Sequence, residues 1–160
     1  MDYEALERVL GHTFQDKALL ETALTHTSFA NEARHGTKHN ERLEFLGDSV
    51  LSIVVAEYLF THSSLPEGDL TRMRASLVCE AALFTFAQKI GLGRWLRLGH
   101  GEEMGGGRTR PSVVSDAFEA VIAALYLDGG IDAARAFILP FVTSALTKQM
   151  SDRTRPRKAT

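Results

Sequence analysis

The chain has 160 residues, of which 44% are hydrophobic and 24% charged, a balance typical of one globular domain with its own core. Its single cysteine, Cys79, excludes an intrachain disulfide, and no apolar run reaches the roughly 18 residues that a membrane span requires. The N-terminus MDYEALERVL opens with acids and lacks the basic start and the apolar stretch of a secretory signal. Together these features predict a cytoplasmic protein.

In chain order, helical periodicity dominates and no segment alternates convincingly as a strand does, which predicts an all-α fold. The expected helices are 2–10, with Asp2 as N-cap; a segment opened by Asp16; about twenty residues after the N-cap Asn40; 67–90; 111–130, closed by paired glycines; and 131–150. The helix after Asn40 is apolar nearly all round, so we expect it in the core. Cys79, inside the helix 67–90, is also expected to pack in the core.

Charge is distributed unevenly along the chain. The net charge is −2, but residues 148–160 contain five basic residues and one acid, which leaves −6 on residues 1–147. We expect residues 1–147 to form the domain and residues 148–160 to form a basic linker or tail. An acidic domain repels the phosphates of nucleic acid unless its carboxylates are neutralised, and divalent cations are the obvious candidates.

Two of the expected helices are apolar except for carboxylates. Glu41, Glu44 and Asp48 fall on one helical stripe, and Asp116 and Glu119 lie one turn apart on another helix. Neither stripe contains a basic residue, and an unpaired buried carboxylate costs several kcal/mol. We therefore expect the acids to converge on a site for Mg²⁺ or Mn²⁺, which prefer oxygen ligands. The alternative is that they line solvent-exposed edges, which applies best to Glu41 beside its N-cap.

Four segments resemble, in order, those of the ribonuclease III family of double-stranded-RNA endonucleases. The most specific is NERLEFLGDSVL (40–51), which is similar to the family's signature helix; the others are ALTHTSFANE (23–32), PEGDLTRMRASLV (66–78) and residues 98–130. Together they cover most of residues 20–130. The resemblance implies the helical fold of the family's endonuclease domain.

The resemblance also implies roles for seven residues. The acids that match the family's metal ligands are Glu44, Asp48, Asp116 and Glu119, with Asp48 and Glu119 also assigned to catalysis. Glu41 and Glu67 match further acids that line the catalytic valley of the family's homodimer. Phe45 matches an aromatic residue inserted into the partner subunit, although an ordinary core phenylalanine explains it equally well from sequence alone.

The activity implied by the resemblance is hydrolysis of double-stranded RNA by a homodimer, with Mg²⁺ as cofactor and Mn²⁺ as a substitute. Each subunit would cut one strand, leaving 5′-phosphate and 3′-hydroxyl ends with short 3′ overhangs, in the processing of ribosomal RNA precursors and other structured RNAs. The alternative is a catalytically silent helical module of the same fold, used for dimerisation or as an RNA scaffold. No acid of the family's set is missing, which favours the enzyme.

Other residues have weaker claims on function. Phosphate contacts could come from the tail or from four arginines near the glycine-rich stretch, although a solvated surface charge explains any single one better: Arg94, Arg97, Arg108 and Arg110. His26 and Ser28 are expected to form local hydrogen bonds, since no third member of a catalytic triad is evident. Bacterial members of the family usually continue into a double-stranded-RNA-binding domain, so we expect this chain to be a truncated form.

Overall fold

Eight helices build the part of the chain that the computed structural model describes, which is residues 3–154, with side chains described up to residue 150. They are α1 (Glu4–Leu10), α2 (Lys17–Ala23), α3 (Thr27–Glu32), α4 (Glu41–His62), α5 (Glu67–Val78), α6 (Glu80–Lys89), α7 (His100–Met104) and α8 (Pro111–Thr154). Two short 3₁₀ turns lie between α6 and α8. Within residues 3–154 the extended backbone forms only an isolated bridge, between Thr25 and Arg97. The all-α prediction is confirmed.

The core lies between α4 and α8, which share the most extensive helix–helix contact of the described residues, and α2 and α6 pack on α8 beside it. Val54 and Val55 of α4 and Phe118 and Ile122 of α8 are all buried. Aromatic rings extend this core along α8, with centroids 5.3 to 6.1 Å apart: Phe86, Phe118, Phe137 and Phe141. This packing fixes the relative position of the two acid-bearing helices.

The backbones of α4 and α8 come into close contact at Gly47, a residue without a side chain. A Cβ atom built on Gly47 would lie 1.8 Å from the main-chain oxygen of Glu119, far inside van der Waals contact. The two helix backbones therefore touch directly at this point. As a result, Glu44 and Asp48, which flank Gly47 on α4, lie opposite the acids of α8.

The start of α4 is anchored to the chain that precedes it. Asn40 occupies the N-cap position, as predicted, but its side chain makes no capping hydrogen bond. Its Nδ2 group instead donates to the main-chain oxygen of Ala23 at 3.1 Å, and its backbone N–H donates to that of Thr25 at 2.9 Å. Asn40 is buried, so its amide ties α4 to the end of α2 rather than capping the helix.

The prediction of one helix over 67–90 is wrong in one respect, because this segment forms two helices that meet at Cys79. The residue is extended (φ −70°, ψ 161°), and the chain changes direction there because α5 packs on α4 whereas α6 packs on α8. Cys79 is exposed, so its predicted core role is wrong too.

The predicted end of a helix at the paired glycines 129–130 is present, since Gly130 has a positive φ of +78° inside α8. Helix α8 then continues to Thr154, past the predicted start of the tail. The predicted cap Asp2, residues 155–160 of the tail and the tail side chains from residue 151 lie outside the described residues.

Helix α4 is not buried all round, contrary to expectation. Phe45, Ile53 and Phe60 are 79%, 57% and 75% exposed. At about 100° per residue they lie within a sector of about 80°, which borders the sector of the acids. Even so, no helix of the described chain is long and apolar enough to span a bilayer.

Replacing Gly47 by alanine tests the close crossing. The new methyl group meets a backbone oxygen, which cannot rotate aside as a side chain would, so we expect Gly47→Ala to lower the free energy of unfolding by about 3 kcal/mol or more. Gly101→Ala is the matched control, because its Cβ would meet nothing within 4 Å. Urea unfolding measures both, and a Gly47→Ala protein within about 0.5 kcal/mol of the parent would contradict the crossing.

Candidate metal centre

Four carboxyl groups meet where α4 crosses α8. The carboxyl group of Glu44 lies close enough to that of Asp116 to interact directly, as does that of Asp48 with Glu119. Ionised carboxylates only accept hydrogen bonds, so a hydrogen bond within either pair requires a proton on one of its two groups. Carboxylate oxygens of Glu44, Asp116 and Glu119 lie within 4.8 Å of one another. The structure thus brings together the four acids named as metal ligands from the sequence.

The cluster has an excess of negative charge. Burial, followed by the hydrogen bond with Asp48 and its charge, raises the pKa of Glu119 to about 8. Burial and the neighbouring Asp116 raise the pKa of Glu44 to about 7. Burial also raises the pKa of Asp116, against the opposing effect of its hydrogen bond with Glu44. Among the described side chains, no lysine or arginine forms an ion pair with any of the four, so positive charge must come from protons or a bound cation.

The other two acids implied by the resemblance differ in their relation to the cluster. Glu41, exposed in the first turn of α4, lies close enough that its charge raises the pKa of both Glu44 and Asp116. Glu67 is exposed in the first turn of α5, and it is not among the charges that act most strongly on the cluster. The structure therefore places Glu41 at the edge of the cluster.

Glu80 is a member of this neighbourhood that the sequence analysis missed. It lies in the first turn of α6, and its charge raises the pKa of Asp116. The break at Cys79 is what brings Glu80 to the start of a helix packed on α8. One continuous helix was predicted through Cys79, and that prediction does not place Glu80 near Asp116.

His26 lies close enough to Asp116 that the charge of each affects the pKa of the other. Burial lowers the pKa of its ring, while the nearby carboxylates of Asp116 and Glu41 act in the opposite direction. Its Nδ1 atom is 2.8 Å from the hydroxyl oxygen of Ser28, so the predicted local hydrogen bonding of these two residues is present.

Three of the four arginines considered for phosphate binding form ion pairs within the fold. These are Arg97 with Glu21, Arg108 with Glu103, and Arg110 with Glu102. Arg97 also lies over the ring of Phe29, 4.2 Å from its centroid. Arg94 has no ion pair among the described side chains and is exposed. It is therefore the arginine of this group that is freest to contact phosphate.

Beside the exposed Phe45 lies a cavity of about 880 Å³ between α2 and the start of α4. Leu19, Leu46 and Leu127 contribute to its lining. Leu127 is 51% exposed in this chain. The cavity adjoins the exposed face of α4 at Phe45, and its lining combines these apolar side chains with charged ones such as Lys38 and Arg42.

Comparisons with known proteins agree on one family. The Ribonuclease-III-like family model matches residues 16–146. Ribonuclease 3 of Caldanaerobacter subterraneus is 53% identical over 135 residues, which cover 84% of this chain and 59% of that protein. Ribonuclease 3 of Oceanobacillus iheyensis is 49% identical over 149 residues, covering 92% of this chain and 65% of that protein. The chain therefore spans about three fifths of the length of these curated relatives.

A solved structure agrees with the sequence comparisons. It is the nuclease domain of ribonuclease III from Campylobacter jejuni, described as structurally flexible in a region involved in dimer formation. It superposes with a TM-score of 0.82 at 42% identity, covering 89% of this chain and 97% of that one.

The raised pKa of Glu119 predicts how the metal-free protein responds to pH. Between about pH 4.5 and pH 8 the unfolded chain has lost this proton while the folded chain keeps it, so stability falls as pH rises through that window. In EDTA, the Tm of the parent should therefore fall between pH 6 and pH 8 more steeply than that of Glu119→Gln, which cannot ionise. Mg²⁺ at pH 8 should raise the Tm of the parent more than that of the variant.

Glu57→Gln is the control for this experiment. Glu57 lies on α4 but is exposed and paired with Arg135, outside the cluster. This variant should keep the pH slope of the parent. Equal slopes for the parent and Glu119→Gln would contradict the electrostatic description of the cluster.

Proposed function

The chain belongs to the ribonuclease III family, and from this premise we propose that it hydrolyses phosphodiester bonds of double-stranded RNA in a reaction that depends on Mg²⁺. The observation that supports this most strongly is the group of four carboxyl groups at the crossing of α4 and α8, in which the pKa values of Glu44 and Glu119 are raised and no lysine or arginine of the described side chains forms an ion pair. A domain with no catalytic role has no use for such a costly arrangement.

The donor atoms of the cluster fit a hard divalent cation. All are carboxylate oxygens, which Mg²⁺ and Mn²⁺ prefer. The raised pKa values of Glu44 and Glu119 mean that these groups hold protons near neutral pH, which a bound cation would have to displace. Glu44, Asp48, Asp116 and Glu119 would hold the ions. Bound there, divalent cations supply a water nucleophile at neutral pH and neutralise charge on the reacting phosphate.

We assign the catalytic roles to Asp48 and Glu119. Asp48 is exposed beside the half-buried Glu119, so this pair lies where solvent and substrate reach the cluster. The pair would orient the attacking water and accept its proton. Attack on phosphorus breaks the bond to the 3′-oxygen, which takes up a proton, and this leaves 5′-phosphate and 3′-hydroxyl ends. An A-form duplex would be recognised through its shape, phosphates and 2′-hydroxyls.

We propose that the active form is a C₂ homodimer whose interface includes the apolar face of α4. Phe45, Ile53 and Phe60 are too exposed for a stable isolated surface and lie in one sector of the helix. The acids border this face, so a two-fold axis there would bring two clusters to the same side of the dimer. Each cluster would then cut one strand and leave short 3′ overhangs.

Residues 1–147 are proposed as the nuclease unit and residues 148–160 as a basic extension. Precursors of ribosomal RNA and other structured RNAs are the proposed substrates.

The dimer is tested with two equally exposed apolar residues. Phe45 is 79% exposed on α4, and Met104 is 75% exposed on α7. Phe45→Asp should convert the dimer into a monomer in sedimentation equilibrium, because a charge would have to be buried in the interface. Met104→Asp should leave a dimer of about twice the 17.6 kDa chain mass. A monomeric parent at micromolar concentration would contradict the proposal.

The chemistry is tested with Glu119→Gln. The substitution keeps the shape of the side chain but removes one anionic oxygen from the proposed ligands, so single-turnover cleavage of a duplex RNA should slow by about 10³-fold or more. RNA binding should survive, since the change reduces repulsion of phosphate. Rates are measured with Mg²⁺ and with EDTA.

Glu57→Gln is again the control and should cleave at the parental rate. Equal rates for Glu119→Gln and the parent would overturn the assignment of the site. A parent that dimerises and binds duplex RNA, yet never cleaves it in Mg²⁺ or Mn²⁺, would favour the silent-module alternative.

A further inference from the structure

The first turns of α4, which present Glu44, contribute no fully buried side chain to the core. Every buried residue of α4 lies at Gly47 or beyond it. Between residues 41 and 46, Leu43 and Leu46 are half-buried, as is Glu44, and the other side chains are exposed. Asp48 follows Gly47 and so belongs to the part of the helix that packs in the core. The two acids of α4 are therefore held in position in different ways.

Asn40, the residue before these turns, supplies them with an anchor. It is buried, its Nδ2 group donates to the carbonyl oxygen of Ala23 at 3.1 Å, and its backbone N–H donates to that of Thr25 at 2.9 Å. Its own carbonyl oxygen accepts the backbone N–H of Glu44 at 2.8 Å. One residue thus links the backbone of Glu44 to the segment at the end of α2.

The segment that holds Asn40 is itself fixed. Ala23 and Thr25 are fully buried, and the Thr25 hydroxyl donates to the carbonyl oxygen of Glu21 at 2.6 Å. On its other side, the backbone N–H of Arg97 donates to the carbonyl oxygen of Leu24 at 2.8 Å. Because this support is buried and bonded on both sides, the hydrogen bonds of Asn40 determine where α4 begins.

The two acids of α4 differ in their distance from the crossing at Gly47. Glu44 lies three residues before it, about 4.5 Å along the helix axis, whereas Asp48 is the next residue after it. Without the side-chain bond of Asn40, the start of the helix could pivot about the crossing. That movement would displace Glu44 and leave Asp48 nearly in place, since the buried residues that follow Gly47 hold the rest of the helix.

We propose that Asn40 is a positioning residue for Glu44: its amide holds the first turns of α4 so that the Glu44 carboxylate meets those of Asp116 and Glu119 in the geometry that binds a divalent cation. This inference rests on the proposed function, because it assumes that Glu44 is a metal ligand. Carboxylate oxygens of the three acids lie within 4.8 Å of one another. Mg²⁺ requires short bonds in near-ideal octahedral geometry, so a small displacement of one ligand weakens its binding.

Asn40→Ser separates this role from a general effect on stability. Serine is a good N-cap residue, so the variant should fold and keep α4, but its shorter side chain has no amide to reach Ala23. Calorimetric titration with Mg²⁺, without RNA, should show binding about 10-fold weaker or more. In cleavage assays the variant should lose kcat at limiting Mg²⁺, regain it at high Mg²⁺, and keep the parental KM for RNA.

Glu7→Gln is the control for stability. It breaks the ion pair of the buried Glu7 with Lys17, a contact in which α4 takes no part. This variant should melt at a lower temperature than the parent, yet bind Mg²⁺ like the parent at temperatures where both are folded. Mg²⁺ affinity that fell with Tm in this variant as it does in Asn40→Ser would overturn the inference.

Double variants show whether Asn40 acts through Glu44. The loss of Mg²⁺ affinity caused by Asn40→Ser should be much smaller in a Glu44→Gln background than in an Asp48→Asn background, because the effects of two residues that act as a unit do not add. Equal losses in the two backgrounds, or parental Mg²⁺ affinity in folded Asn40→Ser, would overturn the inference alone. A parent that binds no Mg²⁺ would instead contradict the proposed function, and the inference with it.

Discussion

The contact between the backbone of α4 at Gly47 and the carbonyl oxygen of Glu119 on α8 is the constraint on which the rest of the structure depends. Any side chain at Gly47 would push the helices apart, and the acids on either side of it would no longer reach one another. The buried aliphatic and aromatic residues along both helices hold them at this separation. The core and the candidate metal centre are therefore two consequences of one crossing.

This arrangement has an energetic cost that bears on function. Burial and mutual repulsion raise the pKa of Glu44 to about 7 and that of Glu119 to about 8, so the metal-free cluster keeps protons near neutral pH that isolated carboxyl groups would lose. Hydrophobic packing between α4 and α8 has to offset this repulsion. A bound divalent cation would relieve this repulsion. The carboxylates that repel one another most strongly would then bind the cation most tightly. Stability and activity are expected to oppose each other here, as they do at many functional sites.

The periodicity of the sequence was sufficient to predict much of this fold. Apolar helices that carry unpaired carboxylates predicted that Glu41, Glu44, Asp48, Asp116 and Glu119 converge, since unpaired acids on buried helices need a common partner. Only the resemblance to the family separated Glu41 from the other four as metal ligands. Three features could not be derived in this way. The chain direction changes at Cys79 because α5 and α6 pack on different helices, and no local breaker residue marks that position. The same change of direction brings Glu80 near Asp116. The exposed face of α4 includes the large apolar residues Phe45, Ile53 and Phe60, so the apolar pattern of the helix did not reveal which face is buried.

Crystals grown with Mn²⁺ provide the most direct test, because anomalous scattering locates the ion independently of any activity. We predict a peak at bonding distance from carboxylate oxygens of Glu44, Asp116 and Glu119. A second peak next to Asp48 would agree with a pair of ions. Mn²⁺ bound only elsewhere on the surface, with Glu44 still paired to Asp116 and Asp48 to Glu119, would contradict this prediction.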